Sequence, residues 1–277
     1  MENRFIEKIK NFLQNIKNLF YKDEEVFQED IKIYSNQNIS WLEADKIYIT
    51  DNIYIRIPTV REVLNNEEFY LSVISALTGS PFQFMVQLDE MNIDYTTISN
   101  YQLFIMFFSA FAKKDLSIIF GDLYTLDYET RVDTSNDTIV LYSKENGIEY
   151  KIDELIYTEI VKTLRKINDI KEVKFKPGND AAKAYLLEKE KRKFKRLKNK
   201  PFESQLETLI IALVNRPEFK YNYEQTLNLS IYQFYQSLKQ IQTSISFDNT
   251  MIGVFAGTVD TSKMTNKQDL SWIQLTK

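Results

Sequence analysis

Six large apolar side chains follow one another without a break in Leu103-Phe104-Ile105-Met106-Phe107-Phe108. No face of such a segment suits water, so it has to lie inside a core. Ser99 stands where a helix cap belongs, and Tyr101–Phe111 reads as the central helix of the molecule. The segment is too short to cross a bilayer, which takes about 20 apolar residues. The rest of the chain fits this reading. Its 277 residues suit one large domain or two small ones, at roughly 100–200 residues each. Nineteen Phe and 17 Tyr supply core area, and six Gly and five Pro leave long stretches free to form regular elements.

Around that segment the periodicity changes several times. Residues 3–20 carry Phe5, Ile6, Ile9, Phe12, Leu13, Ile16, Leu19 and Phe20 at three- and four-residue steps, an amphipathic helix. Its apolar stripe has to be covered by its own domain, by a partner or by a membrane surface. Ile31–Tyr34, Lys46–Thr50 and Asn52–Ile57 read as extended, with Asp51-Asn52 as a turn between the last two. Thr59 and Glu62 have capping-box spacing, and a helix is expected over Glu67–Leu77, ended by Gly79. Pro81 is expected to open a helix over Phe82–Met91.

Residues 122–137 read as polar and irregular. Thr138–Tyr142 and Ile148–Ile152 flank an Asn146-Gly147 hairpin turn, and Asp153 caps a helix to about Asn168. That helix has Leu155, Ile156, Ile160, Val161, Leu164 and Ile167 as its apolar stripe. Pro177-Gly178-Asn179 is the strongest punctuation in the chain. Beyond it, residues 180–200 predict a long charged helix, whose Tyr185, Leu186, Phe194 and Leu197 form a packing stripe. Amphipathic helices are expected over Phe202–Asn215 and Ser230–Ile245, followed by an extended tail. The fold class is therefore α+β and predominantly helical, with a small amino-terminal antiparallel sheet, a central hairpin, a helical core and a helical carboxy-terminal part. The expected division is an amphipathic helix over 1–22, an α+β core over 23–177, a helical subdomain over 178–245 and a tail over 246–277.

The chemistry open to the chain is narrow. It contains no His and no Cys. That excludes thiolate nucleophiles, disulfides, Cys-ligated metals and every triad that uses imidazole as base. Carboxylate, Lys, Tyr and oxygen-ligated Mg²⁺ or Ca²⁺ chemistry remain. Glu172-Val173-Lys174 has the Glu-x-Lys spacing of many Mg²⁺ nuclease cores, but two constrained residues arise easily in a chain so rich in Lys and Glu. Gly253 and Gly257 lack the Gly-Lys-Ser/Thr of a phosphate loop. No catalytic residue, cofactor or metal ligand is nominated, and the chain is not expected to be an enzyme. It shows no apolar run long enough to span a membrane and no leader pattern, so a reducing cytoplasm is the expected compartment.

Charge is distributed unevenly. Residues 180–200 carry nine basic and three acidic side chains, a net +6 within a chain of net −4. Lys189, Arg192, Lys193 and Arg196 are the candidates for contact with phosphates or with an acidic protein surface. A solvated helix is the plainer reading, and nucleic acid is not the expected partner. For protein binding the candidates are Phe5, Ile9, Phe12, Ile16, Leu19 and Phe20, together with Trp272 near the carboxy terminus.

An ordered series of short segments runs through residues 47–273. It comprises Ile57-Pro58-Thr59-Val60-Arg61-Glu62 with Ile55 before it, Phe69-Tyr70-Leu71-Ser72-Val73, Pro81 through Leu88, Met91-Asn92-Ile93-Asp94-Tyr95, Tyr101-Gln102-Leu103-Phe104 and Leu155-Ile156-Tyr157-Thr158-Glu159-Ile160. It goes on through Lys176-Pro177-Gly178-Asn179, Phe219-Lys220-Tyr221, Tyr232-Gln233-Phe234-Tyr235, Ala256-Gly257-Thr258-Val259-Asp260 and Leu270-Ser271-Trp272. In this order the segments resemble uncharacterised morphogenesis and structural proteins of tailed phages of low-GC Gram-positive bacteria. The resemblance implies a protein that binds other phage structural proteins, such as tail tube or tape measure proteins, in the manner of tail assembly chaperones. It equally admits a virion component of the connector, tail or baseplate, and a homo-oligomer. It implies the host cytoplasm, or the virion for a structural component, and carries over no catalytic residue.

Overall fold

The computed structural model describes residues 33–34, 40–111, 114–124, 128–133, 137–143, 147–197, 200–265 and 270–273. The helix expected over 3–20, with Phe5, Ile9, Phe12, Ile16, Leu19 and Phe20, lies outside the described residues. The element order is β1 (Lys46–Tyr48), β2 (Tyr54–Arg56), α1 (Val60–Asn65), α2 (Glu67–Thr78), α3 (Met85–Glu90), α4 (Asn100–Ala110), α5 (Ser117–Phe120), β3 (Tyr128–Asp133), β4 (Thr138–Ser143) and β5 (Glu149–Ile152). Then come α6 (Glu154–Ile167), α7 (Asp180–Leu197), α8 (Gln205–Val214), α9 (Tyr223–Asn228) and α10 (Ile231–Phe255). The fold is α+β and predominantly helical, with a two-stranded sheet, a three-stranded sheet and a helical carboxy-terminal part.

The chain divides into two compact units that interleave along the sequence. One contains Ala44–Ile57 and Glu68–Glu203; the other contains Trp41–Glu43, Pro58–Glu67 and the chain from Ser204 onward.

In the first unit α4 is the centre, as its uninterrupted apolar run requires. Ser99 and Gln102 close a capping box at its start, each accepting the other's backbone N–H at 3.0 Å. Leu103, Phe104, Phe107 and Phe108 are buried, and the Phe104 ring lies 4.7 Å from Tyr157 and 5.4 Å from Phe108. The Tyr101 hydroxyl donates to the Ile152 carbonyl at 2.9 Å, which ties α4 to β5. β1 and β2 pair antiparallel with Ile47 opposite Ile55, both buried. Between them the Ile53 carbonyl accepts from both Ile49 and Thr50. Tyr34 N–H donates to the Ile49 carbonyl at 2.8 Å, although Ile33 and Tyr34 form no strand.

Three local expectations need correction. Tyr128–Asp133 is a strand, not irregular chain: β3 pairs antiparallel with β4 along its whole length, Thr130 opposite Leu141. A sequence with Val132 as its only aliphatic residue shows little periodicity, and the strand exists because β4 offers it a full ladder. Pro81 lies in a turn, where its carbonyl accepts from Phe84, and the helix opens only at Met85. Leu155 is exposed and does not belong to the buried stripe of α6.

The second unit is built on α10. Ile231, Tyr232 and Phe234 are buried at its start, after a capping box formed by Ser230 and Gln233. The upstream segment Pro58–Glu67 is laced to that start. Ile231 N–H donates to the Pro58 carbonyl at 2.8 Å, Val60 N–H donates to the Leu229 carbonyl at 2.9 Å, and Thr59 forms a β-bridge with Ser230. α10 runs ten residues past the expected end at Ile245. It stops at Gly257, whose φ of +73° is the left-handed conformation that terminates helices and favours glycine. There Thr258 and Val259 N–H both donate to the Gly253 carbonyl. A Cβ on Gly253 would lie 2.7 Å from the Val259 side chain, so the turn back requires glycine at both ends.

Candidate functional site

Large apolar side chains are exposed in both units, and in the second unit some of them lie along one helix. α10 contains 25 residues, of which only Lys239 and Asp248 are charged. Its apolar positions Ile231, Phe234, Leu238, Ile241, Ile245, Ile252 and Phe255 keep alternating steps of three and four, with Asp248 taking the one place left between Ile245 and Ile252. Burial along this stripe falls from complete to slight. Ile231 and Phe234 are 0% exposed, Leu238, Ile241 and Ile245 are half-buried, and Ile252 and Phe255 reach 67% and 83%. The last two turns thus present large apolar side chains to solvent with one carboxylate, Asp248, on the same face. Ile252 and Phe255 are adjacent on the helix surface, so they form one small exposed apolar pair.

Trp272, a candidate from the sequence, is 57% exposed next to an exposed Ile273. Its carbonyl accepts from Gln240 Nε2 at 2.6 Å, which holds the end of the described chain against the middle of α10. Ile252 and Phe255 were not nominated because the helix was expected to end at Ile245. The continuing three-four spacing was the signal that would have found them.

The basic helix is α7, in the first unit. None of its residues is buried. Leu186, Leu187 and Phe194 are half-buried on the face that also carries Lys183 and Lys191. Lys183 hydrogen-bonds the Asp94 carboxylate, and Lys191 pairs with Asp89 at 2.6 Å. That Lys183 contact, with bonds from the Thr96 backbone and hydroxyl, holds the Asp94 carboxyl down at about 2. Tyr185 and Leu197, expected to pack, are exposed at 68% and 49%, so the packing stripe is correct only for Leu186 and Phe194. Lys189, Arg192, Lys193 and Arg196 are all exposed on the opposite side. Arg192 pairs with Glu188 at 3.0 Å and Lys193 with Glu190 at 3.6 Å.

Among the described residues the acidic groups considered from the sequence are engaged in other contacts. Glu172 pairs with Lys174 at 3.1 Å and with Arg165 at 3.7 Å on an exposed irregular segment, so the Glu-x-Lys pair is occupied with itself. Among the described residues no three acidic side chains are grouped to hold a metal ion. An open recess of about 390 Å³ lies among Ser99, Gln102, Asp137, Asp153 and Glu154. Ser99 and Asp153 are already engaged there as helix caps, and Tyr101 as a donor to Ile152. No described helix is long and apolar enough to cross a membrane.

Residues 193–277 match the family model of the YomV second domain. This is a phage-related domain of Bacillus YomV-type proteins, and it points to a phage protein. The YomV match takes in the end of α7, all of α8 to α10, and Trp272, so the exposed end of α10 lies within it. No curated protein and no solved structure matches the chain.

Proposed function

We propose that the protein is a tailed-phage morphogenesis protein that works by binding other phage proteins, most specifically as a tail assembly chaperone, and that it carries no catalytic activity. One observation carries this reading: the uncharged, outward-facing end of α10, with Ile252 and Phe255 in solvent, inside the segment related to a phage domain. The order of short segments shared with tailed-phage morphogenesis proteins supports the same class. The partners in this reading are other tail components, with the tail tube and tape measure proteins first.

Co-expression with the tail tube or tape measure protein of the same phage tests it. The full chain is expected to co-purify with one of them. Phe255→Asp, at an exposed position whose substitution costs within about 0.5 kcal/mol of stability, is expected to abolish co-purification. Retention of both partners by the Phe255→Asp chain would remove α10 as the binding surface. Quantitative mass spectrometry of purified virions separates the two forms of the proposal. A chaperone is absent from particles, whereas a connector, tail or baseplate component is present in stoichiometric amount.

A further inference from the structure

The first unit carries a second surface of opposite character. α7 docks through one side only. Its inward cations, Lys183 and Lys191, are paired with Asp94 and Asp89, while Lys189, Arg192, Lys193 and Arg196 stand on the other side. Their spacing of three, one and three residues places all four on one strip of the helix, about 10 Å long at 1.5 Å per residue. Exposed Tyr185 lies one turn before Lys189 on the same strip, and Lys195 and Lys200 are exposed as well. Glu188, which pairs with Arg192, is the acid flanking the strip, and Glu190 reaches Lys193 from the inner side. Neither Lys189 nor Arg196 has an ion-pair partner among the described residues.

The composition of this strip distinguishes between partners. A protein interface concentrates its energy in a desolvated apolar or aromatic centre, with charges at the rim and lysine depleted. Here the middle of the strip is all cation, and the exposed apolar groups, Tyr185 and Leu197, stand at its two ends. A phosphate backbone asks for the reverse: a line of Lys and Arg and no apolar centre. The cations are local to this strip, since the remainder of the chain is net −10. We propose that the outer face of α7 is a nucleic-acid contact surface, in which Lys189, Arg192, Lys193 and Arg196 engage consecutive phosphates. This surface is separate in sequence and character from the apolar end of α10, and the proposal does not depend on the chaperone reading.

Fluorescence anisotropy of a labelled DNA duplex, titrated with the full chain, tests the proposal. Four phosphate contacts give a slope of about −3.6 in log K against log salt, so affinity is expected to fall about a hundredfold between 50 and 200 mM. The quadruple variant Lys189→Gln/Arg192→Gln/Lys193→Gln/Arg196→Gln is expected to lose at least tenfold in affinity and most of the slope. Far-UV circular dichroism equal to that of the unaltered chain shows that its helices are intact. Should neutralising the four cations melt α7, the single variants Lys189→Gln and Arg196→Gln, each lowering the slope by about one, replace it. Absence of binding at 50 mM salt, or a slope unchanged in the variants, overturns the proposal. Displacement of the duplex by polyglutamate at equal charge also overturns it, because the strip would then be a docking site for acidic protein.

Discussion

Glu67 is a buried acid that caps a helix distant in sequence. It is 5% exposed, yet it has three hydrogen-bonding partners: the Ser204 hydroxyl, Gln205 N–H at 3.1 Å and Leu206 N–H at 2.9 Å. The last two are among the backbone donors that the first turn of α8 cannot satisfy internally. A carboxylate at a helix amino terminus also gains from the aligned peptide dipoles. It raises the pKa of Tyr235 in the same unit, after burial of that phenol as the larger cause. Glu67→Ala leaves those donors buried without an acceptor, a loss of about 1–3 kcal/mol. Glu67→Gln keeps an acceptor and is expected to cost less. Both tryptophans, Trp41 and Trp272, belong to the same unit as Glu67, so tryptophan fluorescence during urea unfolding reports on it. The expected result is a lower midpoint for Glu67→Ala than for Glu67→Gln. Equal midpoints would mean that Ser204, which caps α8 with its own hydroxyl to Glu207 N–H, is sufficient alone.

At the scale of elements, α7 and α10 invert each other. α7 is covered with charge and has no fully buried residue, whereas α10 is almost uncharged and is fully buried at only one end. The docking of α7 rests on half-buried Leu186, Leu187 and Phe194 and on two Lys–Asp pairs, one of which has a defined pH dependence. Asp94 in the docked state titrates at about 2, below its ordinary 3.8. A lowered carboxylate stabilises docking at every pH above the ordinary value and loses that contribution as pH falls through the docked value. Lys183, raised above 10.5 by the same contact, stays charged throughout this range. Amide exchange of α7, corrected for intrinsic rates, is therefore expected to be constant from pH 7 to 4 and to accelerate between 4 and 2. In Asp94→Asn it is expected to be somewhat faster at pH 7 and to lose the step, and a step persisting in that variant would assign it to another acid. Much of this scale was legible in the sequence. The caps at Thr59, Ser99 and Asp153 mark helix starts because their chemistry is local. What was not legible depends on partners distant in sequence. β3 is a strand through β4, the inner face of α7 is chosen by Asp89 and Asp94, and the turns of α10 beyond Ile245 carry Ser, Asn and Asp that dilute the apolar pattern. The candidate surface was half legible for the same reason. Trp272 and the cations of α7 could be nominated from residue type, whereas Ile252 and Phe255 required knowing that the helix continued.

For the whole molecule, the interleaving of the two units has a consequence for the segment related to the YomV second domain. Residues 193–277 contain α8, α9 and α10, but the compact unit they build also takes in Trp41–Glu43 and Pro58–Glu67. The upstream pieces are not decoration. Pro58 and Val60 complete the backbone pairing of Leu229 and Ile231, and the Leu42 carbonyl accepts from Gln233 Nε2 at 2.7 Å. The Trp41 ring lies 5.6 Å from Tyr232, and Glu67 caps α8. Without them, the start of α10 would expose side chains that are now buried, Ile231, Tyr232 and Phe234, at about 1.5–3 kcal/mol for each large apolar group. That is comparable to the whole stability of a small domain. A fragment of residues 193–277 is therefore expected to be partly folded, with lower helicity than α8–α10 would give, a broad urea transition and binding of a hydrophobic dye. Joining residues 58–67, the upstream helical piece of the same unit, to it through a flexible linker is expected to restore a cooperative transition, and carrying Glu67→Ala in the joined piece is expected to lower its midpoint. A fragment of 193–277 that unfolds as cooperatively, and at the same urea concentration, as the joined form would show that the related segment folds by itself and that the upstream residues only rest upon it.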